Sequence, residues 1–387
     1  MSVTWRRDDA KLGRVRALMA EQDVDALVAR APDNVLYLTN FWPMKGYDAV
    51  VFPREGDATL ICLEASAEDA ARMAWTNDVR LFAGYDARDP RPPTARTLDV
   101  TREAAKGFDR IGLELSLGTQ ASDRMVGEPT TFTREWFDAF PNAIDATPLL
   151  ARARAHKTDQ EIERMRLANA IAAAAMEHVV RELRPGMKES EAAALWEGFV
   201  HAKGTGWDGN VELALGYSLV WSGPGIRTFT STADRPVQEH EPTLFEIWVC
   251  ADGYWCDHTK NVSPGQLTPA YEELERQLMA VYTYIIDWCR PGVSLAELDK
   301  RVRDGLAEIG YAGQPSHPIC HGVGARAHEP PYAHQAGAGA VEEGMVLAIE
   351  PGVYWDGGGG LRVEDNFLIT ADGAEKLSSF PDGIVSP

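Results

Sequence analysis

No CxxC pair occurs among the five cysteines of this 387-residue chain (Cys62, Cys250, Cys256, Cys289 and Cys320). That leaves neither a disulfide framework nor a zinc ribbon to read. A run of about 18 uncharged apolar residues is also missing, so no membrane helix is expected. The opening MSVTWRRDDA lacks the apolar stretch of a signal peptide, and a cytoplasmic location is the expectation. Basic residues are in deficit, with 38 Lys and Arg against 58 Asp and Glu and a formal charge of −20. A phosphate-binding surface needs the opposite balance, which excludes nucleic acid as the main partner. What the chain does have is ordinary globular composition, 45% apolar and 25% charged, and enough length for two domains.

Apolar residues at helical spacing run from Leu12 to Gln22, with Leu12, Val15, Leu18 and Met19 on one face. Asp25 to Ala29 reads as a short buried strand, Pro32-Asp33-Asn34 as a turn, and Val35 to Leu38 as another strand. Asp48 to Phe52 and Thr59 to Leu63 are further strands parted by Gly56, and the Pro-rich stretch Asp86 to Arg96 reads as a surface loop. This alternation predicts a modest α/β domain over residues 1–150. One long Ala-rich helix is then expected from Asp159 to Leu183, inside a second, larger domain over residues 151–387. That domain contains an echo. Arg184-Pro185-Gly186 follows one long helix and precedes a helix start carrying Glu191; Arg290-Pro291-Gly292 and Glu297 repeat the arrangement at an offset of 106 residues. The matched flanks favour a duplicated half with a site between the two copies, although Pro and Gly also mark unrelated helix ends.

The chemical signal is a set of acids inside apolar strands. Glu246 interrupts Leu244 to Cys250, where an unpaired buried carboxylate is costly. Asp252-Gly253 is a strong hairpin signal, and a two-residue turn there puts Asp257 opposite Trp248 and diagonal to Glu246 on one face. Two such carboxylates repel unless a proton or a cation lies between them. Glu350 ends the run Met345 to Ile349 ahead of Pro-Gly, Glu364 lies in Leu361 to Ile369 on what reads as a strand, and His321 sits in His-Gly-Val-Gly. Four carboxylates and an imidazole suit hard divalent ions such as Mn²⁺, and bridging acids suit two ions about 3.5–4 Å apart. Taken singly, each residue also has a structural role available: Glu246 in a salt bridge, Asp257 in a turn, Glu364 paired with Arg362, and His321 as a packed core histidine.

At these positions the chain resembles the pita-bread metallopeptidase family, which includes methionine aminopeptidase, aminopeptidase P, prolidase and creatinase. The resemblance rests on Glu246 and Asp257 eleven residues apart, His321 in its glycine loop, His328 in Ala-His-Glu-Pro, Glu350 in Ala-Ile-Glu-Pro-Gly and Glu364 in Leu-Arg-Val-Glu-Asp. It extends to the first domain through Asn34-Val-Leu-Tyr-Leu-Thr-Asn40 and to the linker through Lys157-Thr-Asp-Gln-Glu161. It implies an α/β (α+β) fold: a creatinase-type amino-terminal domain, then a catalytic domain of two pseudo-twofold halves around a curved antiparallel sheet. It implies one or two divalent ions (Mn first, with Fe, Co or Zn as alternatives) on Glu246, Asp257, His321, Glu350 and Glu364. It further implies Glu350 as proton shuttle, His328 as a donor to the oxyanion or substrate carbonyl, a small-molecule or dipeptide substrate, and a homodimer.

Three departures qualify the resemblance. Glu246 stands where peptidases of the family carry Asp. The family's upstream His is absent from Ser222 to Thr230, which offers Arg227, Thr228 and Thr230 instead. Lys260 replaces the usual Arg. An arginine does not protonate a leaving amine near neutral pH but grips carboxylates well. The expectation is therefore a C–N hydrolase of the Xaa-Pro dipeptidase kind. The alternatives are a non-peptidase member acting on a small carboxylate held by Arg227, with weak Xaa-Pro turnover, or a binding protein that lost catalysis.

Overall fold

The computed structural model describes residues 5–43, 46–115, 130–227, 230–355 and 357–386, with the backbone alone at 130–133. The chain divides into two compact units between Arg154 and Ala155.

The first unit runs α1 (Asp9–Glu21), β1 (Ala26–Ala29), α2 (Pro32–Thr39), β2 (Ala49–Pro53), β3 (Thr59–Leu63), α3 (Ala67–Met73), β4 (Asp78–Phe82), α4 (Pro93–Ala104), β5 (Ile111–Leu113), α5 (Thr130–Ala139), β6 (Ile144–Asp145) and α6 (Thr147–Ala155). Its six strands form one mixed sheet in the order β4-β3-β2-β1-β5-β6. Strands β1, β2 and β3 are buried on both faces, so they read as continuous apolar runs. One segment departs from the sequence expectation. Pro32 to Leu38 is helix α2, not a turn and a strand. Pro32 is placed at the helix start, and Asn40 caps the far end in the left-handed region with φ 67°. Every residue from Asn34 to Thr39 is buried, and a short apolar run of that kind has no periodicity to separate helix from strand. Helix α4 likewise claims Pro93 to Arg96 from the expected loop.

The second unit continues with α7 (Asp159–Glu182), α8 (Glu189–Lys203), β7 (Ala214–Ser222), β8 (Thr243–Ala251), β9 (Tyr254–Val262), α9 (Pro269–Trp288), α10 (Leu295–Glu308), β10 (Cys320–Gly322), β11 (Glu329–Tyr332), β12 (Val346–Ile349), β13 (Gly352–Tyr354), β14 (Gly360–Arg362), β15 (Asp365–Thr370), β16 (Gly373–Lys376) and β17 (Ile384–Val385). Thr158 and Glu161 form a reciprocal capping box that starts α7, a feature worth about 1 kcal/mol.

The RPG echo is visible in the backbone. Gly186 and Gly292 both have positive φ, 82° and 91°. Their N–H groups donate to Val237 and Val341, each at 2.9 Å, and bridges then join Lys188 to Pro236 and Ser294 to Ala340. Each copy carries its own apolar core. One gathers α7, α8 and β7 to β9 around Trp196 and Phe245; the other gathers α9, α10, β10, β12 and β15 around Leu278, Leu298 and Phe367. The corresponding sheets are β17-β9-β8-β7 and β11-β10-β12-β15-β16. Among the described residues, no helix is long and apolar enough to cross a membrane.

Candidate metal centre

The Asp252-Gly253 turn decides where the first acid goes. Both residues have positive φ, 47° and 83°, as a two-residue hairpin turn requires. The turn sets Trp248 opposite Asp257 and Glu246 opposite Thr259, which puts all four side chains on one face. Asn366 of β15 fixes Asp257 from the other sheet, accepting from its N–H at 3.0 Å and donating to its carbonyl at 2.8 Å.

Glu364 lies between β14 and β15 rather than within a strand, because its N–H leaves the ladder and donates to the Thr259 carbonyl at 3.3 Å. Glu350 follows β12 directly, and its N–H donates to Ile319 at 2.9 Å. His321 sits in β10 opposite Ala348. The glycines beside it make room for β11. A Cβ on Gly322 would lie 2.7 Å from the Glu329 and Pro330 carbonyl oxygens, and one on Gly324 would lie 2.5 Å from the Glu329 carboxylate. That carboxylate is itself paired with buried Lys157 at 2.9 Å.

Five of the expected residues come together. Ligand atoms of Asp257, His321 and His328 all lie within 4.8 Å of one another, and so do those of His321, Glu350 and Glu364. His321 Nε2 is 3.7 Å from Asp257 Oδ2 and 3.5 Å from Glu350 Oε1, while His328 Nε2 is 3.4 Å from Asp257 Oδ2. Glu246 belongs to neither set; its carboxylate is paired with the Arg362 guanidinium. Arg227 is exposed and lines a cleft of about 380 Å³ with Thr230, Gln314, Ser316, Tyr354 and Trp355. Thr228 lies outside the described residues.

Burial dominates the electrostatics. It pushes the Asp257 and Glu350 carboxyls well above the usual range, and the charge of Glu364 pushes each further. Glu364 itself rises to about 7, mainly through burial, with Arg362 pulling the other way. His321 is driven well below its ordinary value by burial and by His328, and so is neutral. Its Nδ1 faces the Gly322 carbonyl at 3.0 Å. A carbonyl only accepts, so Nδ1 carries the proton and the Nε2 lone pair points at the acids.

These residues fit a divalent cation. Both Asp257 carboxylate oxygens and His321 Nε2 are fully buried without a well-formed hydrogen bond among the described residues. Buried polar atoms are rarely left so. A neutral imidazole with its second nitrogen anchored, facing three carboxylates, is an O/N donor set for a hard or borderline ion.

The model of metallopeptidase family M24 matches residues 163–371. The chain belongs to that family. The Creatinase/Prolidase N-terminal domain matches residues 11–156. An Xaa-Pro dipeptidase from Lactobacillus delbrueckii subsp. lactis is 26% identical, over 94% of this chain and 95% of its own length. Among solved structures, the prolidase from Pyrococcus horikoshii OT3 superposes with a TM-score of 0.78 at 24% identity, covering 96% of this chain and 99% of that one. An Xaa-Pro dipeptidase from Bacillus anthracis gives 0.79 at 23% identity, covering 98% and 99%. These two likenesses show the fold. As an M24 member the chain is a metal-dependent hydrolase of C–N bonds, and the non-peptidase and binding-protein alternatives are not favoured.

Around the M24 centre of this chain, sequence reasoning named Arg362 but missed Thr259, Tyr354 and His317. Thr259 donates to Glu364 at 2.7 Å and accepts from Arg362 Nε at 2.7 Å. Arg362 Nη1 donates to the Tyr354 hydroxyl at 3.3 Å, and that hydroxyl lies 3.1 Å from His317 Nε2. His317 Nδ1 faces two acceptors, the Pro318 carbonyl at 2.6 Å and Glu350 at 3.3 Å. Burial, with Arg362 adding to it, lowers His317 to about 3, so it stays neutral. A chain of hydrogen bonds thus links Arg362 through Tyr354 to His317, whose Nδ1 also lies beside Glu350. Its one sequence signal was a histidine four residues before His321. Lys260, the third departure, is not in the cluster; it is buried between Asp365 at 2.5 Å and Asp382 at 3.0 Å.

Proposed function

We propose that this M24 hydrolase is a dipeptidase with Xaa-Pro dipeptides as its substrate class. The observation that carries the reading is the convergence of Asp257, His321, His328, Glu350 and Glu364 around unsatisfied buried ligand atoms. Asp257, His321, Glu350 and Glu364 hold the metal. Mn²⁺ is the preferred ion, since carboxylates outnumber imidazoles in the donor set. A bound divalent ion supplies positive charge that polarises the scissile carbonyl and acidifies water. Glu350 takes the proton of the attacking water and passes it to the leaving amine. His328, partly exposed beside Asp257, presents an N–H to the developing oxyanion. Arg227, on the cleft rim, grips the dipeptide carboxylate. Residues 151–387 form the catalytic domain, and residues 1–150 form a creatinase-type amino-terminal domain. The protein acts in the cytoplasm as a homodimer. Five buried cysteines, none of them bonded, are in keeping with a reducing compartment.

The test is a side-by-side assay of Xaa-Pro dipeptides, other dipeptides, small amides and guanidino acids with Mn²⁺-loaded protein. Xaa-Pro turnover is expected at kcat/KM above about 10⁴ M⁻¹s⁻¹. Arg227→Ala is expected to raise KM about 10- to 100-fold with little change in kcat, as loss of a charged hydrogen bond made equally in ground and transition states does. Turnover confined to small amides or guanidino acids would overturn the dipeptidase reading. An unchanged KM in Arg227→Ala would return that residue to the solvent.

A further inference from the structure

We propose that Glu189 is a positioning residue for the substrate carboxylate: buried behind the cleft, it clamps the loop that carries Arg227. The inference rests on the dipeptidase reading and adds to it a residue that touches no substrate itself. Glu189 opens α8 and is fully buried. Its Oε1 accepts from the Ser222 N–H at 2.9 Å and from Arg235 Nε at 3.0 Å. Its Oε2 accepts from the Ala233 N–H at 3.2 Å and lies 2.8 Å from Arg235 Nη2. Ser222 and Ala233 flank the segment that contains Arg227 and Thr230, so one carboxylate ties both of its ends.

The internal repeat supplies a control. An acid at a helix start is common, because it suits the positive end of the helix. Glu191 already fills that role in α8, where it accepts from the Lys188 N–H at 2.8 Å, and Glu297 stands at the matching place in α10. Glu189 has a different counterpart. At the same offset of 106 residues the second copy carries a buried leucine, Leu295. The backbone is alike in both copies: the Glu189 N–H donates to the Arg235 carbonyl at 2.9 Å, and the Leu295 N–H to the Gly339 carbonyl at 3.2 Å. The side chains differ. Glu189 meets Arg235 in one copy, whereas in the other a Cβ on Gly339 would lie 3.4 Å from Leu295 Cδ1. The fold therefore makes this junction without an ion pair, and the charge stands in the copy whose loop leads to the cleft.

From the clamp, support reaches the cleft along the backbone. Arg227 and Thr230 line it together with Tyr354, Trp355 and Gly358. The Val220 N–H donates to Thr232 Oγ1 at 2.8 Å, which holds the returning limb of the loop. A Cβ on Gly225 would collide with the Glu189 carboxylate, and one on Gly358 with the Pro224 carbonyl. The Gly359 N–H donates to the Ile226 carbonyl at 3.2 Å. The residues just before Arg227 are thus packed between Glu189 and the glycines of the cleft wall. Arg227 itself is exposed, and a long exposed side chain loses entropy when it grips a ligand. A fixed backbone beneath it lowers that loss. The dipeptide carboxylate takes no part in the bond change, so the gain is the same in ground and transition states and belongs to KM rather than kcat.

The experiment gives the first copy the contact of the second, by combining Glu189→Leu with Arg235→Gly in the full-length, Mn²⁺-loaded protein. Removing both partners of a buried pair is tolerated far better than removing one. Melting temperature and metal content are measured beside the kinetics. The exchange is expected to raise KM for Xaa-Pro dipeptides about 10-fold and to leave kcat within about twofold. Added to Arg227→Ala, it is expected to change KM by no more than about twofold, because the clamp acts through Arg227. An unchanged KM in the Arg227 background of wild type would overturn the inference and leave the dipeptidase reading intact. So would a triple variant in which the two losses multiply, since Glu189 would then act by another route. Wild type that turns over no Xaa-Pro dipeptide would overturn the dipeptidase reading and this inference with it. Should the exchange fail to fold, Arg235→Gln changes only the exposed half of the clamp and runs the same cycle, with an expected rise in KM of about 2- to 10-fold.

Discussion

Glu364→Ala is expected to lose more than about 100-fold in kcat/KM and to lose bound metal with it. Even an outer partner of a metal ligand is worth 10- to 100-fold, and Glu364 belongs to the donor set itself. Its ligand atom lies within 4.8 Å of those of His321 and Glu350. The two losses must go together if the carboxylate acts through the ion. Metal counting and kinetics on the same sample check this, and a melting curve of the metal-free variant guards against simple unfolding. If the variant keeps its full metal content, Glu364 is instead a structural acid that anchors Thr259 and, through it, Arg362. Activity lost with metal retained would assign it to substrate rather than to the ion.

The parts of this centre legible in the sequence were those set by local chain geometry. Asp252-Gly253 fixes a hairpin register by itself, and once the register is fixed the pairing of Asp257 with Trp248 follows. The two RPG turns announce themselves because only glycine takes that φ cheaply. Acids inside apolar runs stand out because burying them alone is so unfavourable. Illegible were the pairings between distant residues. Nothing in Leu244 to Cys250 says that Glu246 meets an arginine 116 positions later, and nothing in Ser316-His317-Pro318 says that His317 backs Glu350. Such partners are chosen by how β8, β10, β13 and β14 come together. Segment Pro32 to Thr39 was misread for a related reason. Its burial comes from the surrounding elements, so its own residues carry no polar face to betray a helix.

In the absence of metal, wild type is expected to lose stability relative to Glu364→Gln as pH rises from about 4.5 to about 7, by about 3 kcal/mol. The folded protein raises Glu364 from 4.5 to about 7, chiefly because the carboxylate is buried. A group whose folded value is raised binds its proton more tightly in the fold than in the unfolded chain. The fold therefore gains below the unfolded value, and that gain disappears as pH climbs through the folded one. Glutamine is nearly isosteric, never ionises, and still offers Thr259 an oxygen to donate to. His317 and His321 work in the opposite direction, because burial lowers both and costs stability at acid pH. They are present in both proteins and cancel in the difference, whereas Asp257 and Glu350 do not: the charge of Glu364 raises both, so its removal lowers them and moves the difference in the same direction. The measurement is chemical denaturation of chelator-treated wild type and Glu364→Gln across this pH range, repeated with saturating Mn²⁺. The ion rewards the ionised carboxylate, and at 100 times its Kd it adds about 2.7 kcal/mol to the state that binds it. Mn²⁺ should therefore erase the wild-type deficit at neutral pH and do little for Glu364→Gln. A difference that stays flat with pH would mean that Arg362, acting through Thr259, already neutralises Glu364 in the folded protein. The carboxylate would then need no cation to be buried.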